Sequence, residues 1–535
     1  MKSDRVLFYA PVRACCAAIH CRVPCLVLAL YLLAIFSSLG AYSQQQSPQE
    51  NDKAPLALPS SSSILCTVDF TKAMGDFPGG SIVMAFPADS SRGGEAGAGP
   101  VDVVKASGLD VMQLEIAEDF YNVFPDKSLD PSAPGSYRFA DLDNTIMKAR
   151  EQNLSLVFSF KASRFPDDVG KFRTQLEQVM KHLCIALGPG KALKAFLFDA
   201  RPDEPGSYWN GKDDECLRLY TLFARSARKI DSSIPVGGCG FLNVFAGESE
   251  GTFKDVSPRL LQWIDGITRD KVPCDMLFFR HCGLIPYGFF LVTRTLEEKV
   301  LRGRPSLSTL FSRPKLYCAI EALPEKAPSL FRATVTVNAL ICAIKGGANY
   351  VAITNGSGEV SDPLTAALKE CCNFSRYPVQ LETVGLDRLC FIIMACRSKD
   401  GKSLFFTLSG NNPTSYLLSG EGGEDKAAME KEYRAYVDTF TEKVFPPLYE
   451  RYHLNIEGLP WGGQPILLRR YMLEGQNGLR LAEEKVLAGN KQFYFNKNFT
   501  QPGIQFLHLE VQEKPKEEKA QPSPVNPQEK KGVVP

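Results

Sequence analysis

The feature that most constrains the fold of this chain is a regular alternation of short apolar runs with helical patterns between residues 81 and 354. Runs of Val, Ile, Leu and Phe are expected of strands covered on both faces, and strands that alternate with helices predict βα units in a parallel sheet. The eight predicted strands are 81–86, 110–116, 154–160, 195–199, 234–238, 275–279, 315–320 and 349–354. Eight such units predict a (β/α)8 TIM barrel.

Helical periodicity is clear in five of the segments between these strands, namely 140–152, 169–187, 213–230, 258–267 and 329–345. After residue 376 the pattern changes to the alternation of half-buried strands, with a hairpin expected at Asp400-Gly401 and a helical segment expected at 425–444. We therefore expect a barrel over 64–376 and a smaller β-sandwich-like domain over 377–511.

The two ends of the chain differ in composition from the predicted domains. Residues 1–43 hold four cationic side chains and then about 20 apolar residues, which predicts a secretory signal or an uncleaved membrane anchor. Either alternative puts the barrel outside the cytoplasm, secreted or anchored by a single span. Residues 44–63 are expected to be a flexible linker, and 512–535 a disordered tail.

Export would allow the cysteines to form disulfides and the Asn-X-Ser/Thr motifs to carry glycans. Twelve of the 16 cysteines lie beyond the export segment at irregular spacing, so buried thiols or one or two disulfides are expected, with the pairing open. Four Asn-X-Ser/Thr motifs are candidate glycosylation sites: Asn153, Asn355, Asn373 and Asn498.

Charge and motif content exclude several classes of function. The chain has 61 Lys and Arg against 60 Asp and Glu, without a basic block in the folded part, which argues against nucleic acid as a partner. The five histidines are scattered, so no zinc site is predicted. Dinucleotide, phosphate-loop and Gly-X-Ser-X-Gly patterns are absent as well. A neutral or small polar substrate fits this composition best.

Two glutamates follow two of the predicted strands. Glu204 follows the fourth strand and Glu321 directly follows the seventh, so both carboxylates are expected at the C-terminal rim of the barrel, where barrel enzymes keep their chemistry. Paired carboxylates across a sugar predict glycoside hydrolysis, and a separation of about 5 to 5.5 Å would make the mechanism retaining. Glu325 competes with Glu321 for the second role but does not directly follow the strand.

These residues resemble the glycoside hydrolases of clan A, which place the acid/base in an Asn-Glu-Pro motif after strand four and the nucleophile at the end of strand seven. The first motif reads Asp203-Glu204-Pro205 here. Family 39, with its β-xylosidases and α-L-iduronidases, is the most similar, through three further tracts: 137–143, 234–238 and 468–471.

The resemblance covers about residues 75–511 and implies roles for individual side chains. Glu204 would be the acid/base and Glu321 the nucleophile. Asp203 would stand where the family's asparagine contacts the sugar, Trp209 would shape the rim, and His281 or Arg280 would lie near the family's histidine after strand six. A carbohydrate is the implied partner, and no cofactor or metal is required.

Three positions depart from the family pattern. The asparagine is Asp203, whose charge would raise the pKa of Glu204. The Arg and His expected on strand two are Gln113 and Glu115, and the aromatic residue expected after strand eight is missing from 352–355. Two hypotheses follow: an exported retaining glycoside hydrolase acting on a xyloside-like or uronide-like sugar, or a pseudoenzyme that binds a glycan or a protein without turnover.

Overall fold

The structure is a computed structural model that describes fourteen stretches of the chain. They are 62–76, 82–86, 99–187, 192–203, 208–242, 244–245, 256–281, 286–304, 314–321, 327–354, 363–384, 391–411, 449–474 and 478–512. The predicted export segment, the predicted tail apart from its first residue, and all but the end of the predicted linker lie outside these stretches. In the stretches themselves, no helix is long and apolar enough to span a membrane.

Eight parallel strands close into a barrel in chain order, with the last strand paired to the first. These strands are β2 (Ile82–Phe86), β3 (Val111–Ile116), β4 (Ser155–Lys161), β5 (Leu193–Asp199), β6 (Val236–Phe241), β7 (Met276–His281), β8 (Lys315–Ile320) and β9 (Tyr350–Thr354). Each predicted strand matches an observed one to within three residues at either end. The predicted TIM barrel is therefore confirmed.

Eight α-helices lie within the described residues and surround the barrel strands in sequence. They are α1 (Pro100–Ala106), α2 (Ala140–Glu151), α3 (Val169–Leu187), α4 (Asp213–Ile230), α5 (Pro258–Arg269), α6 (Pro286–Thr295), α7 (Ser329–Gly346) and α8 (Pro363–Cys371). The five predicted helices are all observed. In α4, acidic residues in the first turn and basic residues in the last complement the helix dipole, and the apolar stripe is buried.

Alternation along the barrel strands sorts side chains between two cores. Inward positions form one apolar cluster inside the barrel, which includes Val111, Val157, Leu197, Phe278 and Tyr317. Outward positions pack against the helices in a larger cluster. Because side chains alternate with a period of two, the same inward rows continue upward to the C-terminal ends of the strands, where the residues become charged.

The second, mostly-sheet domain consists of nine strands in one hydrogen-bonded sheet, ordered β15-β14-β17-β12-β11-β10-β1-β13-β16. These strands are β1 (Ser62–Asp76), β10 (Val379–Val384), β11 (Phe391–Arg397), β12 (Ser403–Gly410), β13 (Tyr449–Glu457), β14 (Ile466–Glu474), β15 (Leu479–Leu487), β16 (Phe493–Asn498) and β17 (Gly503–Val511). The expected hairpin joins β11 to β12 at Asp400-Gly401. The helix expected at 425–444 lies outside the described residues.

The first strand corrects the predicted start of the barrel at residue 64. β1 lies in the second sheet, where it pairs antiparallel with β10 and parallel with β13. Its inward row, which includes Ile64, Cys66 and Val68, is buried in the apolar core of the second sheet. The barrel therefore begins with β2, and the described residues all belong to one compact unit.

Strands of the second sheet are buried on both faces where they meet the barrel. In β11, Ile393 belongs to the core of the second sheet, whereas its neighbours Ile392 and Met394 belong to the cluster that surrounds the barrel. α7 contacts β11, β12 and β17. At the end of α7, the amine of Lys345 donates to the Thr383 hydroxyl at 2.7 Å and to the Ile393 carbonyl at 2.8 Å.

Candidate active site

Glu321 lies at the C-terminal mouth of the barrel, one residue beyond β8. Its backbone N–H donates to the carbonyl of His281 at 3.1 Å, which extends the ladder between β7 and β8 and holds the residue at the rim. About a quarter of its side chain is exposed, at 23%. Glu204, the other predicted catalytic residue, lies outside the described residues.

Arg280, on β7, bridges two carboxylates at this mouth. Its Nη1 donates to Glu321 Oε1 at 2.5 Å, and its Nε donates to Asp199 Oδ1 at 3.2 Å. A further bond joins its Nη2 to Asp199 Oδ2, which makes the contact with Asp199 bidentate. Arg280 is 5% exposed and Asp199, at the end of β5, is fully buried. The guanidinium therefore fixes the Glu321 carboxylate against a buried anchor.

Arg201 adds a second cation on the same side of the mouth. Its guanidinium lies 3.7 Å from Asp199 Oδ1 and 3.7 Å from Glu321 Oε1. The same group lies over the ring of Tyr208 at 4.7 Å. Arg201 has a positive φ of 44°, a conformation uncommon for a residue with a side chain, two residues beyond the end of β5.

The two oxygens of Glu321 have different surroundings. Arg280 and Arg201 both approach Oε1, and no described residue bonds to Oε2. Oε1 is therefore the oxygen that the cations hold in place. This division suits a carboxylate nucleophile, which needs a fixed orientation and one accessible lone pair.

β3 and β4 supply a separate ion pair. Glu115 of β3 pairs with Lys161 of β4, and Gln113 accepts a hydrogen bond of 2.6 Å from the hydroxyl of Tyr317. Burial raises the pKa of Glu115, and the nearby Lys161 ammonium partly offsets the rise. Gln113 is thus bonded to Tyr317 and Glu115 to Lys161, and among the described residues no hydrogen bond or ion pair joins either of them to Glu321.

The mouth carries three carboxylates and three cations among the described residues. The acidic members are Glu115, Asp199 and Glu321, and the basic members are Lys161, Arg201 and Arg280. Burial by itself lowers the pKa of Arg280, but Asp199 and Glu321 outweigh burial and raise it. Burial also raises the pKa of Tyr208, reinforced by Asp199 and Glu115, so its hydroxyl stays neutral in this field.

Asp203 and Trp209 hold the loop after β5 in place. Asp203 is buried, and its Oδ1 accepts the backbone N–H of Leu242 at 2.9 Å, which ties the loop to the end of β6. The indole N–H of Trp209 donates to the carbonyl of Lys212 at 3.2 Å, and its ring is buried in the cluster between strands and helices. Both residues thus support the segment on either side of Glu204.

The ring of His281 lies on the helix side of β7, although its backbone carbonyl bonds to Glu321. Its ring packs edge-on against Phe289 of α6, with centroids 4.5 Å apart. Burial lowers the pKa of His281 to about 4, so the ring is neutral at physiological pH. The alternative residue, Arg280, is the one that the structure brings to the site. A contact between His281 and a substrate stays a prediction.

Three site residues were not singled out from the sequence: Lys161, Asp199 and Arg201. The signal that would have found two of them is the inward row of each strand, continued to its end. Val157 and Ser159 are followed by Lys161, just as Ala195 and Leu197 are followed by Asp199. No comparable periodicity marks Arg201, because the chain leaves the strand there. No group of three or more potential metal ligands occurs in the described part of the chain.

Comparison with known proteins gives a likeness of structure. No protein-family model matches the sequence, and no curated protein sequence matches it either. Among solved structures, a glucosidase from Croceicoccus marinus is similar with a TM-score of 0.63 and 17% identity, over 84% of this chain and 99% of that one. The GH39 enzyme from Xanthomonas axonopodis pv. citri gives 0.58 and 11%, over 84% and 98%.

A monomeric β-xylosidase from Caulobacter crescentus is also similar, with a TM-score of 0.56 and 13% identity over 84% of this chain and 99% of that one. At identities this low the likeness concerns the fold alone. The protein thus has the fold of the clan GH-A glycoside hydrolases, a TIM barrel with a second, mostly-sheet domain.

Proposed function

We propose that the protein is a retaining glycoside hydrolase, with Glu321 as nucleophile and Glu204 as acid/base. The observation that carries the proposal is the Glu321 carboxylate at the C-terminal mouth of the barrel. Its Oε1 is held by Arg280, and its Oε2 has no partner among the described residues. The fold supports the reaction class, since its structural neighbours are glycosidases.

The reaction would run in two steps. In the first, Oε2 of Glu321 attacks the anomeric carbon, the bond to the leaving oxygen breaks, and Glu204 gives that oxygen its proton. In the second, water attacks the anomeric carbon, the bond to Glu321 breaks, and the Glu204 carboxylate takes a proton from the water. Arg280 keeps Glu321 oriented through both steps. Asp203 fixes the loop beside Glu204 by its bond to Leu242.

The substrate class and location are part of the proposal. Resemblance to family 39 supports a xyloside-like or uronide-like terminal sugar on a glycan. The apolar segment near the N-terminus supports export, with residues 1–43 either cleaved or retained as an anchor.

A second candidate, a glycan-binding pseudoenzyme, is favoured by one observation. Every cation among the described residues of the mouth already has a carboxylate within 4 Å, and Gln113 and Glu115 stand in place of the strand-two Arg and His of the family pattern. Such an internally neutralised mouth could hold a neutral sugar by hydrogen bonds alone, without turnover.

Covalent trapping separates the two candidates. The full chain is incubated with a panel of 2-deoxy-2-fluoro glycosides, which form long-lived glycosyl-enzymes with retaining enzymes, and intact mass is measured. We expect one adduct on the wild type, mapped to Glu321, and none on Glu321→Gln. The matched control is Glu325→Gln, which should still be trapped.

Each outcome assigns a function. An adduct that maps to Glu325 would give the nucleophile role to that residue. If no glycoside in the panel reacts, while the same sugars bind in calorimetry, the protein is a binding protein and the hydrolase proposal is wrong.

A further inference from the structure

Two buried thiols lie in contact beneath the candidate site. Cys216 is in the first turns of α4 and Cys239 is in β6, and their Sγ atoms are 3.3 Å apart. Both residues are free and almost fully buried. A disulfide has an S–S distance of about 2.04 Å, so closing the gap requires a movement of only about 1.3 Å.

The pair adjoins the beginning of the loop after β5. The carbonyl of Cys239 accepts the backbone N–H groups of Ala200 at 3.1 Å and Arg201 at 3.2 Å. Cys216 is in the helix that follows the same loop. A covalent link between them would connect the helix after the loop to the strand that supports the beginning of the loop.

We propose that Cys216 and Cys239 form a disulfide bond in the mature protein. Two thiols each lose a proton and an electron, and a disulfide donor, such as oxidised glutathione or an oxidised thiol–disulfide oxidoreductase, accepts both electrons and both protons and is reduced to two thiols. The pairing does not depend on whether the barrel hydrolyses glycans, so it can be tested separately from the proposed function.

The timing of bond formation follows from burial. Burial raises the pKa of Cys239, so its thiolate is scarce once the barrel has closed. The bond therefore forms during folding, while both thiols are still accessible to the donor, and the folded protein then protects it from reductants. An unlinked pair in the folded protein would be equally slow to oxidise.

Disulfide mapping after oxidative refolding tests the proposal. The purified full chain is reduced and unfolded in denaturant, and it is then refolded in a reduced and oxidised glutathione mixture, at the ratio of the secretory pathway, together with protein disulfide isomerase to speed exchange. After an acid quench, thiols are blocked with N-ethylmaleimide in denaturant and peptides are analysed by mass spectrometry. We expect the peptide pair joined through Cys216 and Cys239 in at least tenfold excess over the blocked peptides.

Two variants sharpen the assignment. In the Cys216→Ala variant, Cys239 should be recovered blocked by N-ethylmaleimide. The control variant is Cys274→Ala, which removes another buried thiol, and in it the link between Cys216 and Cys239 should persist. The proposal is overturned if wild-type Cys216 and Cys239 are both recovered blocked, or joined to other cysteines. The wild-type map alone decides this, even if a variant fails to fold.

Discussion

At the scale of single residues, Arg280 is the cation that pairs with two carboxylates of the site. It is the bidentate partner of fully buried Asp199 and the hydrogen-bond donor to Glu321. An Arg280→Met substitution leaves a buried carboxylate without its main cation, a change that typically costs about 3 to 5 kcal/mol of unfolding free energy.

The expected effect of Arg280→Met is measured by urea denaturation against a matched control. Arg294 of α6 forms an exposed pair with Glu298, in the helical segment that follows α6, so Arg294→Met should change the unfolding free energy by less than about 0.5 kcal/mol. Equal effects of the two substitutions would contradict the role given to Arg280.

Glu204 has a testable kinetic signature as the proposed acid. Glu204→Gln should slow the hydrolysis of substrates with poor leaving groups by roughly 10²- to 10⁴-fold, because these need protonation. Strongly acidic phenols leave an aryl glycoside as phenolates, without needing a proton. The first step with these substrates should therefore be little affected. Pre-steady-state release of the phenol checks this. A uniform loss across all leaving groups would point to a structural role for Glu204.

The sequence predicts the position of Glu321 but not its partner. A glutamate that directly follows a strand is visible in the sequence, whereas the choice between Arg280 and His281 depends on which of two adjacent residues faces the mouth. Period-two alternation from Met276 and Phe278 makes Arg280 the inward residue. Arg201 had no such signal, because its place depends on a loop conformation with positive φ.

At the scale of elements, Lys345 joins a barrel helix to the second sheet. Its amine bonds to Thr383 of β10 and Ile393 of β11, and burial lowers its pKa to about 8. Three thiols with raised pKa values also interact with the amine: Cys66, Cys342 and Cys396. In the unfolded chain Lys345 would keep its proton up to about pH 10.4.

The pKa shift of Lys345 predicts a pH dependence with a definite sign. Between about pH 8 and 10 the unfolded state binds the proton and the folded state does not, so stability rises with pH. From pH 7 to 9.5, the wild type should gain about 1 to 2 kcal/mol relative to Lys345→Met. Urea denaturation of both proteins checks this difference in unfolding free energy. The thiols titrate in both proteins, so their contribution largely cancels. A flat difference would contradict the lowered pKa.

Elements that are marked by their own local sequence pattern were predicted. β1, whose partner strands are distant in the sequence, was not. Most barrel strands are apolar on both faces, so composition marks most of them, and their alternation with helices marks the others. β1 was not recognised as a strand of the second sheet. It exposes Leu65 and Met74 on its outer row, and its partners β10 and β13 follow hundreds of residues later. Pairing at that distance leaves no mark in the local pattern.

At the scale of the whole molecule, the second sheet depends on a strand from the other end of the chain. β1 lies between β10 and β13, so its removal separates β13 and β16 from the remaining strands. A chain that begins at residue 82 should lose the core formed around Ile64, Cys66 and Val68. We expect it to be cleaved rapidly in the second domain by limited proteolysis.

A matched control for this truncation is a chain that begins at residue 60 and keeps β1. It should resist proteolysis as the full chain does, because residues 60–535 form the compact unit. Equal resistance of both truncated chains would mean that the second sheet closes without β1.

The central position of β1 also sets the order of events during synthesis. β1 leaves the ribosome about 300 residues before β10 and still longer before β13. At a synthesis rate of about 5 to 20 residues per second, this strand waits roughly 15 to 60 s with both edges unpaired. Unpaired edges template aggregation, so the nascent chain must be shielded while the barrel is made. Chaperone demand should therefore peak before the barrel's last helix emerges.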